Sequence, residues 1–231
     1  MRSASRPGRG TPPADDLTAR ARIRDAAILR FARDGFGASL RSVAEDAGVS
    51  AALVIHHFGS KDRLRHACDD HVFALIRENK REVVSETGGP TAFLGQMARV
   101  AEFAPLVGYA IRSLQTGGDG ARGFVEHMIA DAVDYLRDGV AAGTITPSRD
   151  EHARARYLVE SALGTLLLEL SINPPADPSD LAGIMDDFFE RIAGPALELY
   201  TEGLLTDRRM LDAYLLYVGD PPEESADPAS A

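Results

Sequence analysis

Apolar residues recur along most of this chain at spacings of three and four, the period of a helix with one buried face. Ile23, Ala27 and Phe31 make such a stripe and predict a helix over about residues 18–34, which Gly35 ends. Leu40, Val43, Ala44 and Ala47 fall at i, i+3, i+4 and i+7 and predict a short helix. Ser39 is placed to cap its start, and Gly48 to adopt the left-handed conformation that stops it. Val49 tucks under the turn, and Ser50 caps a second short helix that ends near His57 and Phe58. Ser60 then opens a long helix to about residue 85, with Leu64, Ala67, Cys68, His71 and Leu75 along one face.

Thr87, Gly88, Gly89 and Pro90 break the pattern and mark a junction. Helices are expected over about 91–103 and 105–114, then a glycine-rich loop over 117–120. A helix over about 121–142 turns Phe124, Met128, Ile129, Ala132, Val133 and Leu136 inward, and Gly143 and Pro147 close it. The next, over about 150–172, is apolar nearly all round between Leu163 and Leu170, as a helix buried on two sides would be. After Asn173-Pro174-Pro175, Asp177 and Pro178 are expected to start a helix in which Leu181, Met185, Phe188, Ile192, Pro195 and Leu199 form a bundle-like seam. Pro195 is expected to kink that helix or end it early. A last helix is expected over about 206–218. Every sustained period is helical, so the fold class is all-α. The expected organisation is a tail over 1–16, a three-helix domain over 17–66, a larger helical domain over 67–218 and a second tail over 219–231.

Two short helices joined by a tight glycine turn fit a helix-turn-helix, whose second helix enters the DNA major groove. Helix–glycine–helix stretches also occur in many helical proteins that bind no DNA. The detail here favours the groove reader. The second helix exposes Ala51, Ala52, His56 and His57, a small polar surface, and the third opens with Lys61 where a phosphate would lie. In the N-terminal tail, Arg2, Arg6 and Arg9 are read as solvated rather than as DNA contacts.

The N-terminal part resembles the TetR family of one-component transcriptional repressors. The resemblance rests on Arg22-Ile23, Ala26-Ala27, Phe31-Ala32, Gly35-Phe36, Ser39, Val43-Ala44, Ala47-Gly48-Val49-Ser50, His57-Phe58, Ser60-Lys61 and Leu64, over about residues 20–66. Two positions depart from the family pattern: Ile55 stands where a DNA-contacting tyrosine is usual, and Arg30 where an apolar residue is usual, which suggests a local repacking of the first helix. The resemblance implies a homodimer whose eighth and ninth helices form a four-helix bundle, a ligand cavity among the fourth to eighth helices, and release from a near-palindromic operator. It places DNA contacts at Ser39, Arg41, Ser50, Ala51, Ala52, Ile55, His56, His57 and Lys61, with Arg41 on a guanine and Lys61 on a phosphate. The dimer seam is expected at Leu163, Leu167, Phe188, Ile192 and Leu199. The competing reading is an α-helical small-molecule-binding protein or enzyme with a non-functional helix-turn-helix, for which Ile55 is the support.

Composition sharpens this picture. The net charge of −10 opposes indiscriminate nucleic-acid binding, but it is unevenly placed. Residues 1–83 hold 15 Lys and Arg against 11 Asp and Glu, a net +4, while the remainder holds 10 against 24, a net −14. A basic reader on an acidic body suits a specific DNA binder. The single cysteine, Cys68, permits no disulfide within the chain and suits a cytoplasmic protein, and it reads as a buried structural thiol rather than a redox sensor. No membrane span and no secretory leader are expected. The trio Asp62, His66 and Asp70 reads as an exposed stripe rather than a metal site. Gly118, Gly120 and Gly123 match G-x-G-x-x-G but follow a helix rather than a strand, so no nucleotide site is expected there. No catalytic signature is present, and no cofactor is expected.

For the ligand cavity, the expected lining is Phe103, Tyr109, Phe124, Met128, Tyr157 and Glu160. Glu160 and Glu169 lie nine residues apart and point to opposite faces at about 100° per residue, so one acid faces the cavity. Glu160, near Tyr157 and Gly164, has the wider setting. If Glu160 lines the cavity, a buried carboxylate beside aromatic rings favours a lipophilic cation; the alternative is that both acids are satisfied by nearby arginines or backbone groups.

Overall fold

Ten helices account for nearly all of the chain that the computed structural model describes, residues 14–219 apart from 175, 178 and 179. In order they are α1 (Ala14–Asp34), α2 (Leu40–Asp46), α3 (Ala51–Phe58), α4 (Lys61–Val84), α5 (Gly89–Met97), α6 (Val100–Gln115), α7 (Gly118–Ala141), α8 (Glu151–Ile172), α9 (Leu181–Thr201) and α10 (Arg209–Gly219). The tails expected over 1–16 and 219–231, with Arg2, Arg6 and Arg9, lie almost wholly outside the described residues, as does Pro178. Among the described residues no helix is long and apolar enough to cross a membrane. The chain divides into two compact units, Met1–Phe188 and Phe189–Ala231.

The departures from expectation have local causes. Pro105, expected at the start of a helix, lies inside α6, which begins at Val100, and α9 does not end at Pro195. A proline removes one backbone donor, and helices of 16 and 21 residues continue through that loss. The segment read as a glycine loop is mostly helix: Gly117 at φ 65° and Gly118 at φ 55° make the turn, and α7 starts at Gly118. At the start of α9, the Asp180 carboxylate accepts from the Gly183 N–H at 3.0 Å and caps the helix.

Within the first unit there are two cores. The first gathers Ile23, Ala27 and Phe31 of α1, Val43 and Ala44 of α2, Val54 and Phe58 of α3, Leu64, Cys68 and Val72 of α4, and Tyr109 of α6. The helices around the glycine turn and the helices of the body therefore share one apolar core. The second core joins Ile129, Ala132 and Leu136 of α7 to Ala155 and Val159 of α8. Polar ties cross between helices as well. Arg77 of α4 donates to the buried Asp131 of α7 at 2.8 Å, and His127 of α7 stacks on Phe73 of α4 with ring centroids 3.9 Å apart.

Where α1, α4 and α6 meet, aromatic and polar contacts form a chain. Phe36 packs against Phe31 and edge-on against Tyr109, with centroids 5.3 and 5.2 Å apart. The Arg65 guanidinium lies 3.8 Å over the Phe36 ring. The Tyr109 hydroxyl donates to Asp69 Oδ1 at 2.6 Å. Burial pushes the Asp69 carboxyl above its usual range, against the opposing effect of that hydrogen bond.

Tyr109→Phe leaves a half-buried carboxylate without its donor, and a loss of about 1–3 kcal/mol in urea unfolding at neutral pH is expected. Because the folded pKa of Asp69 is raised, its favourable contribution is full below the unfolded value and fades as pH rises through the folded one. Wild type should therefore gain stability relative to Asp69→Asn as pH falls through the carboxylate range, in parallel unfolding series. Cys68 is fully buried, and desolvation pushes its thiol up to about 12. Iodoacetamide at pH 8 should leave the native protein unmodified and alkylate Cys68 only when urea is added, as read by mass.

Candidate nucleic-acid interface

α2, α3 and α4 each follow a serine that uses its side chain as a cap. Ser39 accepts from the Ser42 N–H at 3.1 Å, Ser50 from Leu53 at 3.2 Å and Ser60 from Arg63 at 3.2 Å. Two glycines make the turns between them, Gly48 at φ 64° and Gly59 at φ 77°, where a side chain would be strained. These short-range signals hold α2 and α3 in a fixed bend, with Val43, Ala44, Val54 and Phe58 buried beneath.

One face of α3 is left bare. Ala51, Ala52, Ile55 and His56 are exposed, at positions i, i+1, i+4 and i+5, while Val54 and Phe58 point into the core. His57 is half-buried at the edge of this face. Ser39, Arg41 and Ser50 are exposed around it, and Lys61 is partly exposed at the first residue of α4. Arg41 is 85% exposed and reaches Glu45 at 3.2 Å, an ion pair that solvent screens and a phosphate or base can replace. The small side chains of Ala51 and Ala52 at the start of α3 allow its backbone a close approach to a groove floor.

The position of Arg30 is explained by a clamp. Its Nε and Nη2 bond both carboxylate oxygens of Asp46 at the end of α2, at 2.6 and 2.5 Å, and its Nη1 bonds Asp34 at 2.8 Å. The guanidiniums of Arg33 and Arg30 hold the Asp34 carboxyl down at about 2. A residue that sequence reasoning assigned to repacking thus fixes α2 on α1 by a two-pronged pair. Nothing in the local sequence marks Asp46 as its partner, 16 residues away.

The other expected sites are less assembled. Tyr109 and Phe124 are buried in the first core, and Phe103 and Met128 pack against it. Tyr157 is 68% exposed. Glu160 lies on the surface and pairs with Arg156 at 3.2 Å, an arginine that also holds Glu126 at 3.0 Å. Of the two readings open for Glu160, the structure has the one in which a nearby arginine satisfies the acid, at the surface and not among aromatic rings. On α8, Leu163 packs into the second core, whereas Leu167, Leu168 and Ile172 are exposed. Phe188 and Ile192 are half-buried and Leu199 is exposed. His66 lies 3.9 Å from Asp69 rather than meeting Asp62 and Asp70, and no group of three metal-ligating side chains occurs among the described residues.

Comparison with known proteins agrees with this geometry. Residues 23–68 match the family described as bacterial regulatory proteins, tetR family, and residues 101–206 match the tetracyclin repressor-like C-terminal domain. The chain is 51% identical over 200 residues to the HTH-type transcriptional regulatory protein RaaS of Mycobacterium tuberculosis, covering 87% of this chain and 93% of the relative. Among solved structures, a putative fatty acid metabolism regulator of Clostridium perfringens superposes with TM-score 0.53 at 17% identity, over 80% of this chain and all of that one. A TetR transcriptional regulator of Chloroflexus aurantiacus superposes with TM-score 0.50 at 21% identity, over 78% of this chain and 98% of that one. At those identities the likeness speaks for the fold alone. The architecture, the capped helix-turn-helix and the close sequence relative agree: the chain belongs to the TetR family of DNA-binding transcriptional regulators and is not an enzyme.

Proposed function

We propose that this protein is a ligand-responsive repressor that binds a near-palindromic operator as a homodimer and leaves it when a small molecule binds. The observation that carries the DNA contact is the bare face of α3, where Ala51, Ala52, Ile55 and His56 stand free of the core on a helix fixed by caps at Ser39, Ser50 and Ser60. Arg41 reads a base edge, Lys61 holds a phosphate, and Ile55 supplies an apolar contact to a thymine methyl or sugar. Ser39, Ser50 and His57 complete the surface.

The dimer is supported by α8, whose Leu167, Leu168 and Ile172 form an exposed apolar surface that a soluble monomer would not leave bare. In the second unit, Leu199 and its neighbours Leu197 and Tyr200 are likewise exposed. Two readers on one dimer meet half-sites about one helical turn apart, roughly 34–36 Å, or somewhat further. Release follows from linkage: a ligand that prefers the DNA-incompetent dimer weakens DNA affinity by that preference.

A mobility-shift assay on the DNA upstream of the protein's own gene tests the reading. Arg41→Ala should relax preference at one base pair by about 1–3 kcal/mol. Lys61→Ala should weaken all sequences alike and lower the slope of log affinity against log salt by about 1. If neither changes binding, the groove assignment is wrong. Sedimentation at micromolar concentration should show a dimer that Leu167→Asp shifts toward monomer; a wild-type monomer would contradict the two-reader arrangement.

A further inference from the structure

We infer that a cavity between α1, α6, α8 and the start of α9 is the site of the effector, and that it takes a small, mainly apolar molecule carrying one anionic group. The inference rests on the ligand-responsive reading above and deepens it. The cavity measures about 180 Å³. A space of roughly 150 Å³ holds a benzene ring, so this one accommodates a ring with a short polar arm. Its walls are apolar, with Val107 and Ile111 from α6, Leu170 from α8, and Ile184 and Met185 from α9. Among the described residues, the polar side chains of its lining are Arg112 and Gln115, and no acidic side chain lines it.

Arg112 sets the charge preference. Its Nε donates to the carbonyl of Ala32 at 3.2 Å, its Nη2 to that of Arg33 at 2.9 Å, and its Nη1 to Gln115 Oε1 at 3.0 Å. These bonds use three of the five N–H donors of a guanidinium, and two remain for a ligand. None of the three acceptors is a carboxylate, so the positive charge has no ionic partner among these contacts. An anion at the cavity supplies one through charge-assisted bonds, whereas a lipophilic cation meets the guanidinium head-on. The net −14 of residues 84–231 opposes an anion only at long range. Such fields fade within about 8 Å at physiological salt, and the guanidinium acts in contact.

The same arginine gives the cavity a route to the reader. Ala32 is both a wall of the cavity and a carbonyl partner of Arg112, and it lies near the end of α1. The helices are close here: a Cβ built on Gly108 would stand 3.1 Å from Ala32 Cβ and 2.9 Å from Leu181. There is no slack along this line of contact, so a ligand that draws Arg112 toward itself loosens the end of α1 instead of compressing a soft wall. The Arg30 clamp carries a displacement of α1 on to α2.

The test uses full-length protein and three matched probes: phenylacetate, 2-phenylethanol and 2-phenylethylamine. Calorimetry should show phenylacetate binding at least ten-fold tighter than either of the others. Val107→Phe, which fills the cavity, should remove binding of all three. Arg112→Gln should keep binding but reduce the preference for phenylacetate over the alcohol to less than two-fold, so the proposal does not depend on the filled variant folding. Phenylacetate should also release wild type from operator DNA. Absence of phenylacetate binding, equal affinity for the three probes, or unchanged binding in a folded Val107→Phe would overturn the site. Failure to bind any operator would instead overturn the repressor reading, and calorimetry does not depend on it.

Discussion

The close passage of α1 against α6 is the constraint on which the rest of the structure depends. Gly108 leaves room for Ala32 and Leu181 to meet over it, and Arg112 ties the last carbonyls of α1 to α6. Neither contact has much room to yield. A side chain at position 108 would have to displace Leu181 and Ala32 together, and interiors packed at this density shift as units. The reader helices are therefore parts of one core with the body rather than a module on a tether. That is the physical condition for a regulator: a change among the body helices has somewhere definite to go.

The interactions along this seam differ in kind. The Phe31–Phe36–Tyr109 contacts contribute apolar burial and ring geometry, and they tolerate little rotation. The Tyr109–Asp69 hydrogen bond and the Arg30–Asp46 pair are directional and would be lost together with alignment. Arg30 and Asp46 are partly exposed, so that pair contributes direction more than stability. α1 is thus held by α2 on one side, through Arg30, and by α6 on the other, through Arg112.

The helix-turn-helix was legible in the sequence because its signals are short-range. A serine before each helix, a glycine after, and an apolar period of three and four specify capped turns without reference to anything distant. The same locality identified the all-α class and the bare face of α3. What sequence hid depends on partners far along the chain. Arg30 and Asp46 are 16 residues apart, and Arg112 and Ala32 are 80 apart. For Glu160 the sequence leaves two readings, a cavity acid or one satisfied by a nearby arginine, and the choice lies with Arg156 and with Glu126, which comes from another helix. Tyr109 looked like a lining residue and proved to be a joint, because its edge-on contact with Phe36 arises only once α6 packs on α1. Prolines are a further case: Pro105 and Pro195 each remove one backbone donor, yet both lie inside continuous helices.

In the proposed function, the exposed face of α3 reads a defined DNA sequence in two symmetric copies. Selection of bound duplexes from a random pool, with full-length protein at physiological salt, tests it most directly. One inverted repeat should be enriched, with half-sites centred about one helical turn apart or somewhat further. Recovery of unenriched DNA, or of a single unrepeated half-site bound by a lone protomer, would contradict it.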